Sequence, residues 1–351
     1  MGPAPGSLFR AEIFEQPAAL ERLLEANEQI ARIAATAVQR DVQLVRMVGH
    51  GSSDNAASYG VYAFGLLPHW TAVRDSITLT VHYDTPIDLS RSMVIGLSQS
   101  GQTPDVVEYL LRARKAGAFT VAITNDDDSD LAAAADETIA LGAGPELAVA
   151  ATKTYVNTLG ALALLAAHIA GRGNEVADGI HRAAELLSGS LPAFEAATRS
   201  LALPFAYTGR MFVIGRGTEF ATAREIALKL LETCRIAAEP LTATDLAHGP
   251  VAALDPLFPV WAIASADGTL ATVQEAAARV KAMGATLVAS GTAASAVTVS
   301  SYRLPVPATE PALLSPLLSV VPGQLFALAL SLARGLDPDA PHGLNKITLV
   351  T

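Results

Sequence analysis

Six consecutive residues, Ser98-Gln99-Ser100-Gly101-Gln102-Thr103, bring three hydroxyls, two carboxamides and a turn glycine to one short loop. The loop follows the apolar run Val94 to Leu97 and leads into a helical pattern that opens at Pro104. Hydroxyls and free backbone N–H groups at a helix start suit an anion, and a phosphate on a small molecule is the ligand that chemistry predicts. Plain N-capping by Ser100 or Thr103 would need one polar residue, not five beside a glycine. Ser52 and Ser53 follow the apolar run that ends at Val48, on a neighbouring loop, where they can complete the cradle.

A second set lies in the other half. Glu225, Lys229 and Glu232 stand at i, i+4 and i+7 of a helical pattern and so share one face. Alone, such a stripe reads as solvated salt bridges. It is followed, however, by Glu239 to Asp245 and by His248-Gly249-Pro250, a histidine in an irregular turn. Carboxylate, histidine and phosphate cradle together make a set for acid/base work on a phosphorylated sugar. A dinucleotide site is excluded, because Gly49-His50-Gly51 and Gly215-Arg216-Gly217 lack the third glycine; Asp54 and Phe220 stand there. No Gly-Lys-Ser/Thr phosphate loop is present either.

These loops must be carried by regular elements, and the chain repeats itself to supply them. Met47-Val-Gly-His-Gly-Ser52 and Val213-Ile-Gly-Arg-Gly-Thr218 each end an apolar run and open a helix, which pairs Gly49 with Gly215. Ser98 pairs with Ser265 and Gly117 with Gly284 at almost the same offset, so the register is kept three times. Apolar strands alternating with helices predict an α/β fold with a mainly parallel sheet in each half and right-handed crossovers. We expect a helical segment over 1–41, one domain over 42–171, a helical linker over 172–205, a second domain over 206–336 and a tail over 337–351. Helices are expected at Asp54 to Gly65, Pro104 to Ala116 and Thr152 to Ala170, and a helical antenna at Glu12 to Ala37.

Composition narrows the function classes. A chain of 351 residues with 51% hydrophobic and 17% charged residues can bury two cores and is not mainly disordered. A net charge of −10 argues against nucleic acid or anionic membrane as partner. A single cysteine, Cys234, allows neither an intrachain disulfide nor a cysteine-based zinc site. No basic segment followed by an apolar one opens the chain, so a cytoplasmic location is expected. The uncharged stretches Thr154 to Ala170 and Pro311 to Ala333 are expected to be buried helices; one is short, and prolines interrupt the other.

Taken together, Ser98 to Thr103, Glu146-Leu-Ala-Val-Ala-Ala-Thr-Lys153, Glu225 to Glu232, His248-Gly-Pro250 and Leu344-Asn-Lys346 resemble the SIS (sugar isomerase) proteins. The resemblance is to the isomerase part of glucosamine-6-phosphate synthase and to stand-alone SIS-type deaminases, and it covers Val42 to Thr351. It implies two tandem SIS domains, each a three-layer α/β/α sandwich. It also implies that Ser53, Ser98, Gln99, Ser100 and Thr103 hold a sugar phosphate and that Glu232 moves a proton between C1 and C2. Glu225 and Lys229 would support Glu232, His248 would assist ring opening from the neighbouring subunit of a homodimer, and Lys346 would engage the open-chain carbonyl. Val149, Ala150 and Ala151 would line the sugar. Ala151 stands where the synthase pattern has serine, and Asp54 where it has tyrosine.

Gly2 stands where the synthase has its nucleophilic cysteine. The expectation is therefore isomerase chemistry fed by, or releasing, free ammonia, with no metal or redox cofactor: a glucosamine-6-phosphate deaminase. A fructosamine 6-phosphate deglycase or galactosamine 6-phosphate deaminase-isomerase would share the scaffold. A phosphosugar sensor would have no need of Glu232, His248 and Lys346 together, and no helix-turn-helix segment precedes Val42.

Overall fold

The computed structural model describes residues 4–346, so residues 347–351 of the tail lie outside the described residues. The chain forms two compact units, one made of Met1–Pro17, Leu147–Thr152 and Arg182–Leu344, the other of Ala18–Glu146, Lys153–His181 and the tail from Asn345. The latter contains strands β1 Leu44–Val48, β2 Thr71–Arg74, β3 Ser92–Leu97, β4 Phe119–Thr124 and β5 Glu137–Ala140. All pair in parallel, in the order β2-β1-β3-β4-β5. β3 and β4 are buried along their whole length, as continuous apolar runs in the middle of a covered parallel sheet should be, whereas the edge strands β2 and β5 have four residues each and stay partly exposed.

Helices cover this sheet on both faces. Pro104–Lys115 places Val106, Tyr109, Leu110 and Ala113 in a core with Val94 and Ala122. Ser52–Leu66 and Asn27–Gln39 pack on Lys153–Ile169, whose residues from Lys153 to Ala167 are buried without a break. That burial explains the uncharged stretch after Thr154, which is a core helix. The stretch Ala312–Ala333 also has the length and composition to cross a membrane, but 94% of its most apolar window is buried inside the fold.

The other unit repeats the plan with β6 Arg210–Gly215, β7 Ala237–Thr242, β8 Val260–Ile263, β9 Leu287–Gly291 and β10 Tyr302–Pro305, ordered β10-β9-β8-β6-β7 and again parallel. Adding five to each strand number of the first sheet reproduces this order. Register repeats as well. Val48 faces Gly96 in the first sheet and Ile214 faces Ala262 in the second, both shifted by the offset that separates Gly49 from Gly215. From β4 to β9 the offset is greater by one, since Ile95 faces Val121 and Trp261 faces Val288. One extra residue therefore enters between β8 and β9. In strand register the counterpart of Ser98 is Ala264, and Ser265 lies one position further along the loop.

Two expected helices differ in extent. The antenna from Glu12 to Ala37 is three helices, Ser7–Phe14, Gln16–Leu24 and Asn27–Gln39. Pro17 has no N–H to continue a helix from the preceding turn, so the chain stops and restarts there. The helix expected from Asp54 begins earlier, at Ser52, because Gly51 takes a backbone conformation with φ 55° that lets the chain turn directly out of the β1 loop. The expected linker helix is continuous over Gly173–Ala202.

Candidate active site: an anion cradle and a buried carboxylate–lysine helix

In the first sheet the strand order reverses between β1 and β3, and ligands in such sheets bind beyond the carboxyl ends of the strands at that point. The loops there are Gly49 to Ser53 and Ser98 to Thr103. Ser98 is buried, and its Oγ lies 2.9 Å from Thr103 Oγ1 while accepting the Gly101 N–H at 3.1 Å. Gln102 N–H reaches Ser100 Oγ at 3.3 Å. Thr103 is the N-cap residue of helix Pro104–Lys115, yet its side chain makes no capping bond. Its hydroxyl turns to Ser98 instead. Gly101 has φ 64°, and a Cβ there would sit 2.0 Å from Ser129 Oγ, so the loop can close only on glycine.

Ser52 and Ser53 open their helix, both half-buried, so this loop also presents first-turn N–H groups. Sequence reasoning passed over their neighbour His50. Its Nε2 lies 2.7 Å from Asp105 Oδ2, which links the two loops, and Asp105 Oδ1 is buried with no hydrogen-bond partner. A histidine beside Gly51 was the available signal, but its partner is 55 residues away. Asp54, standing where the resemblance expects tyrosine, forms a two-pronged pair with Arg74 at 2.8 and 2.9 Å.

Glu146 and Lys346 form a further pair in the same unit. Glu146 is buried and accepts Thr154 N–H at 3.1 Å and Thr154 Oγ1 at 2.8 Å, and Lys346 Nζ lies 2.9 Å from its Oε2. The motif containing Glu146 was visible in the sequence, but the role of its carboxylate as anchor for the tail lysine was not.

In the other unit, helix Glu219–Cys234 carries the charged stripe inward. Glu225 and Lys229 are fully buried, with Lys229 Nζ 3.3 Å from Glu225 Oε1 and 2.7 Å from Glu232 Oε2. Burial pulls the Lys229 ammonium down, but the two carboxylates outweigh it and hold its pKa above the ordinary lysine value. The stripe is thus no solvated face. Glu232, with its side chain 20% exposed, is the member of the three that reaches the surface. It lines a cavity of about 480 Å³ with Leu228, Leu231, Arg235, Asp337 and His342 among its walls. His248 ends the short turn Asp245–His248, lies exposed and is not among the residues lining that cavity. Val149 donates its N–H to Asp339 O at 3.0 Å; Ala150 is buried and Ala151 half-buried beside it in sequence. Glu12 fixes that strip by accepting the N–H groups of Leu147 and Ala148.

The second sheet also reverses between β6 and β8, and what stands there is a carboxylate. Glu219 is the counterpart of Ser53 in the turn after Gly215. It is fully buried and accepts three hydroxyls.

The family model for the SIS domain matches residues 42–168 and 205–334. The chain belongs to the SIS family. Its two SIS domains each carry a five-stranded parallel sheet flanked by helices. This SIS protein is 35% identical over 352 residues to the isomerizing glutamine–fructose-6-phosphate aminotransferase of Thermococcus kodakarensis, with 97% of this chain aligned. It spans 57% of that relative's length. Among solved structures, a Silicibacter pomeroyi DSS-3 protein provisionally assigned as a phosphosugar isomerase is 35% identical with a TM-score of 0.82, covering 94% of this chain and 99% of that one. The C-terminal domain of the Francisella tularensis glucosamine-fructose-6-phosphate aminotransferase shares the fold at a TM-score of 0.84 and 23% identity, covering 94% of this chain and 97% of its own.

Proposed function

We propose that this SIS protein is an isomerase and deaminase of a phosphorylated amino sugar, converting glucosamine 6-phosphate and water to fructose 6-phosphate and ammonia. The observation that carries the reading is the buried Lys229 between Glu225 and Glu232. An ammonium held at 2.7 Å by a carboxylate that borders a cavity is an arrangement for moving a proton, and a structural salt bridge would have no need of the open side.

In this reading the hydroxyls of Ser98, Ser100 and Thr103, with Ser52, Ser53 and the backbone around Gln99, take the phosphate. Val149, Ala150 and Ala151 line the sugar. His248, supplied across the two-fold axis of a homodimer, assists ring opening. Glu232 then removes the proton from C2 and returns it to C1, while O1 gains a proton as the amine loses one. The product is a C2 imine. Water adds to it and ammonia leaves, so the overall reaction balances without a redox change. Lys346 engages the open-chain carbonyl, with Glu146 holding it.

The test is release of ammonia or free amine from purified protein over glucosamine 6-phosphate, galactosamine 6-phosphate and fructosamine 6-phosphate adducts, with fructose 6-phosphate measured as the coproduct of glucosamine 6-phosphate. E232Q should lower kcat by roughly 10² to 10⁴, the usual share of a general base. Near-wild-type release by that variant rejects the role of Glu232. Binding of the sugar without exchange of its C2 proton in deuterated water would make the protein a sensor.

A further inference from the structure

We infer that the second SIS domain contains a phosphate-type anion cradle that the chain fills with its own carboxylate, Glu219. The inference rests on the reading of the first domain's loops as a phosphate site, and it extends that reading to the other repeat.

Three observations carry it. The first is position. Glu219 stands at the same point after β6 as Ser53 after β1, and the turn is built alike: Ser53 N–H reaches His50 O at 3.0 Å and Glu219 N–H reaches Arg216 O at 3.2 Å, donor and acceptor shifted equally between the repeats. The second is coordination. Ser265 Oγ and Ser315 Oγ donate to Glu219 Oε1 at 2.8 and 2.6 Å, and Thr222 Oγ1 donates to Oε2 at 2.6 Å. Ser265 belongs to the loop after β8, the counterpart of the Ser98 to Thr103 loop. The third is burial without a cation. Glu219, Ser265, Ser315 and Thr222 are all at most 1% exposed, and among the described residues no lysine, arginine or histidine pairs with the carboxylate.

A buried charge satisfied only by hydroxyl donors at a helix start is what a bound phosphate would be in the first domain. Here a side chain supplies the oxyanion. Thr218, the counterpart of Ser52, is 4% exposed and its Oγ1 has no hydrogen-bond partner, so the cradle holds a donor its own carboxylate does not use. Asp267 lies two residues beyond Ser265 in the same loop and accepts Thr269 N–H and Oγ1 at 2.8 and 2.6 Å. Glu219 therefore stands where the first loop cluster has a serine, and Asp267 adds a second carboxylate to the loop after β8, which disfavours a second phosphate. The chain keeps one phosphosugar site.

The ligand class of the emptied cradle is inorganic phosphate or a phosphate monoester. E219S/D267S restores the serine of the first repeat at position 219 and removes the second carboxylate of the loop after β8, and E219A/D267S is a second variant. Equilibrium dialysis with radiolabelled inorganic phosphate counts the anions held by the full chain. The expected result is one phosphate in the wild type and two in E219S/D267S, with one retained when S98A/T103A removes the first site. One phosphate in wild type and in both variants overturns the inference and leaves the first cradle intact. No phosphate in wild type but one in E219S/D267S supports the inference and overturns the reading of the Ser98 loop. If neither variant reaches a native melting transition at any phosphate concentration, the inference also fails, because an emptied anion site should be refilled by the anion.

Discussion

Lys346 Nζ lies 2.9 Å from Glu146 Oε2 although 200 residues separate the two in the chain. The buried carboxylate also takes two hydrogen bonds from Thr154, so it is fixed before the lysine arrives. Lys346 Nζ is thereby held at a set place rather than on a free tail. If Lys346 engages substrate through this anchor, E146Q should lower kcat at least tenfold, about 1.4 kcal/mol, and the loss should not add to that of K346A. Kinetics of the two single variants and the double variant check this; additive losses would mean that the lysine acts without its anchor.

The cradle predicts a loss confined to phosphorylated ligands. Changing Ser98 or Thr103 to Ala removes a hydroxyl whose hydrogen bond to a charged acceptor is worth roughly 1.5 to 3 kcal/mol. KM for glucosamine 6-phosphate should rise at least tenfold while that for unphosphorylated glucosamine stays put. Michaelis constants for both sugars decide it, and unchanged values in both variants put the phosphate elsewhere.

His248, exposed on its turn, is accessible to a second subunit. If it completes a partner's site, E232Q and H248A proteins are each inactive, and re-equilibrating them makes mixed dimers with one site carrying both defects and one carrying neither. Activity should return to up to about one quarter of wild type when half the dimers are mixed. Mixtures that stay as inactive as their parents, with subunit exchange demonstrated by mass spectrometry, place His248 outside the partner's chemistry.

Cys234 predicts a pH dependence of stability. Burial pushes its thiol up to about 11, with the Thr233 hydroxyl pulling weakly the other way, and its Sγ lies 3.2 Å from Ala327 O. In the unfolded chain a thiol ionises near pH 8.5. Above that pH the unfolded state releases a proton that the folded state keeps, so stability present below it is lost as pH rises. Between pH 8 and 10 the loss from this residue should approach roughly 2 kcal/mol. Urea unfolding of wild type and C234A at the two pH values measures it as the difference between their slopes; equal slopes would show that the thiol ionises in the fold.

What the sequence determined by itself was local and periodic. Alternating apolar runs, the glycine turns at Gly51 and Gly101 and the repeat offset follow from short-range sterics and from the period of helix and strand, so both parallel sheets were readable before any contact was known. The charged face of Glu225, Lys229 and Glu232 was readable for the same reason. Its burial was not, because whether a helix face meets water depends on elements far along the chain, Val321–Ala333 among those packed on Glu219–Cys234. Pairings across long separations were equally out of reach: His50 with Asp105, Lys346 with Glu146, and the hydroxyls that converge on Glu219. Hydrogen bonds act over about 3 Å, and only the folded backbone brings residues so distant in the chain within that range. The extra residue between β8 and β9 belongs to this class too, since it shows only when strand register, rather than residue type, is matched between the repeats.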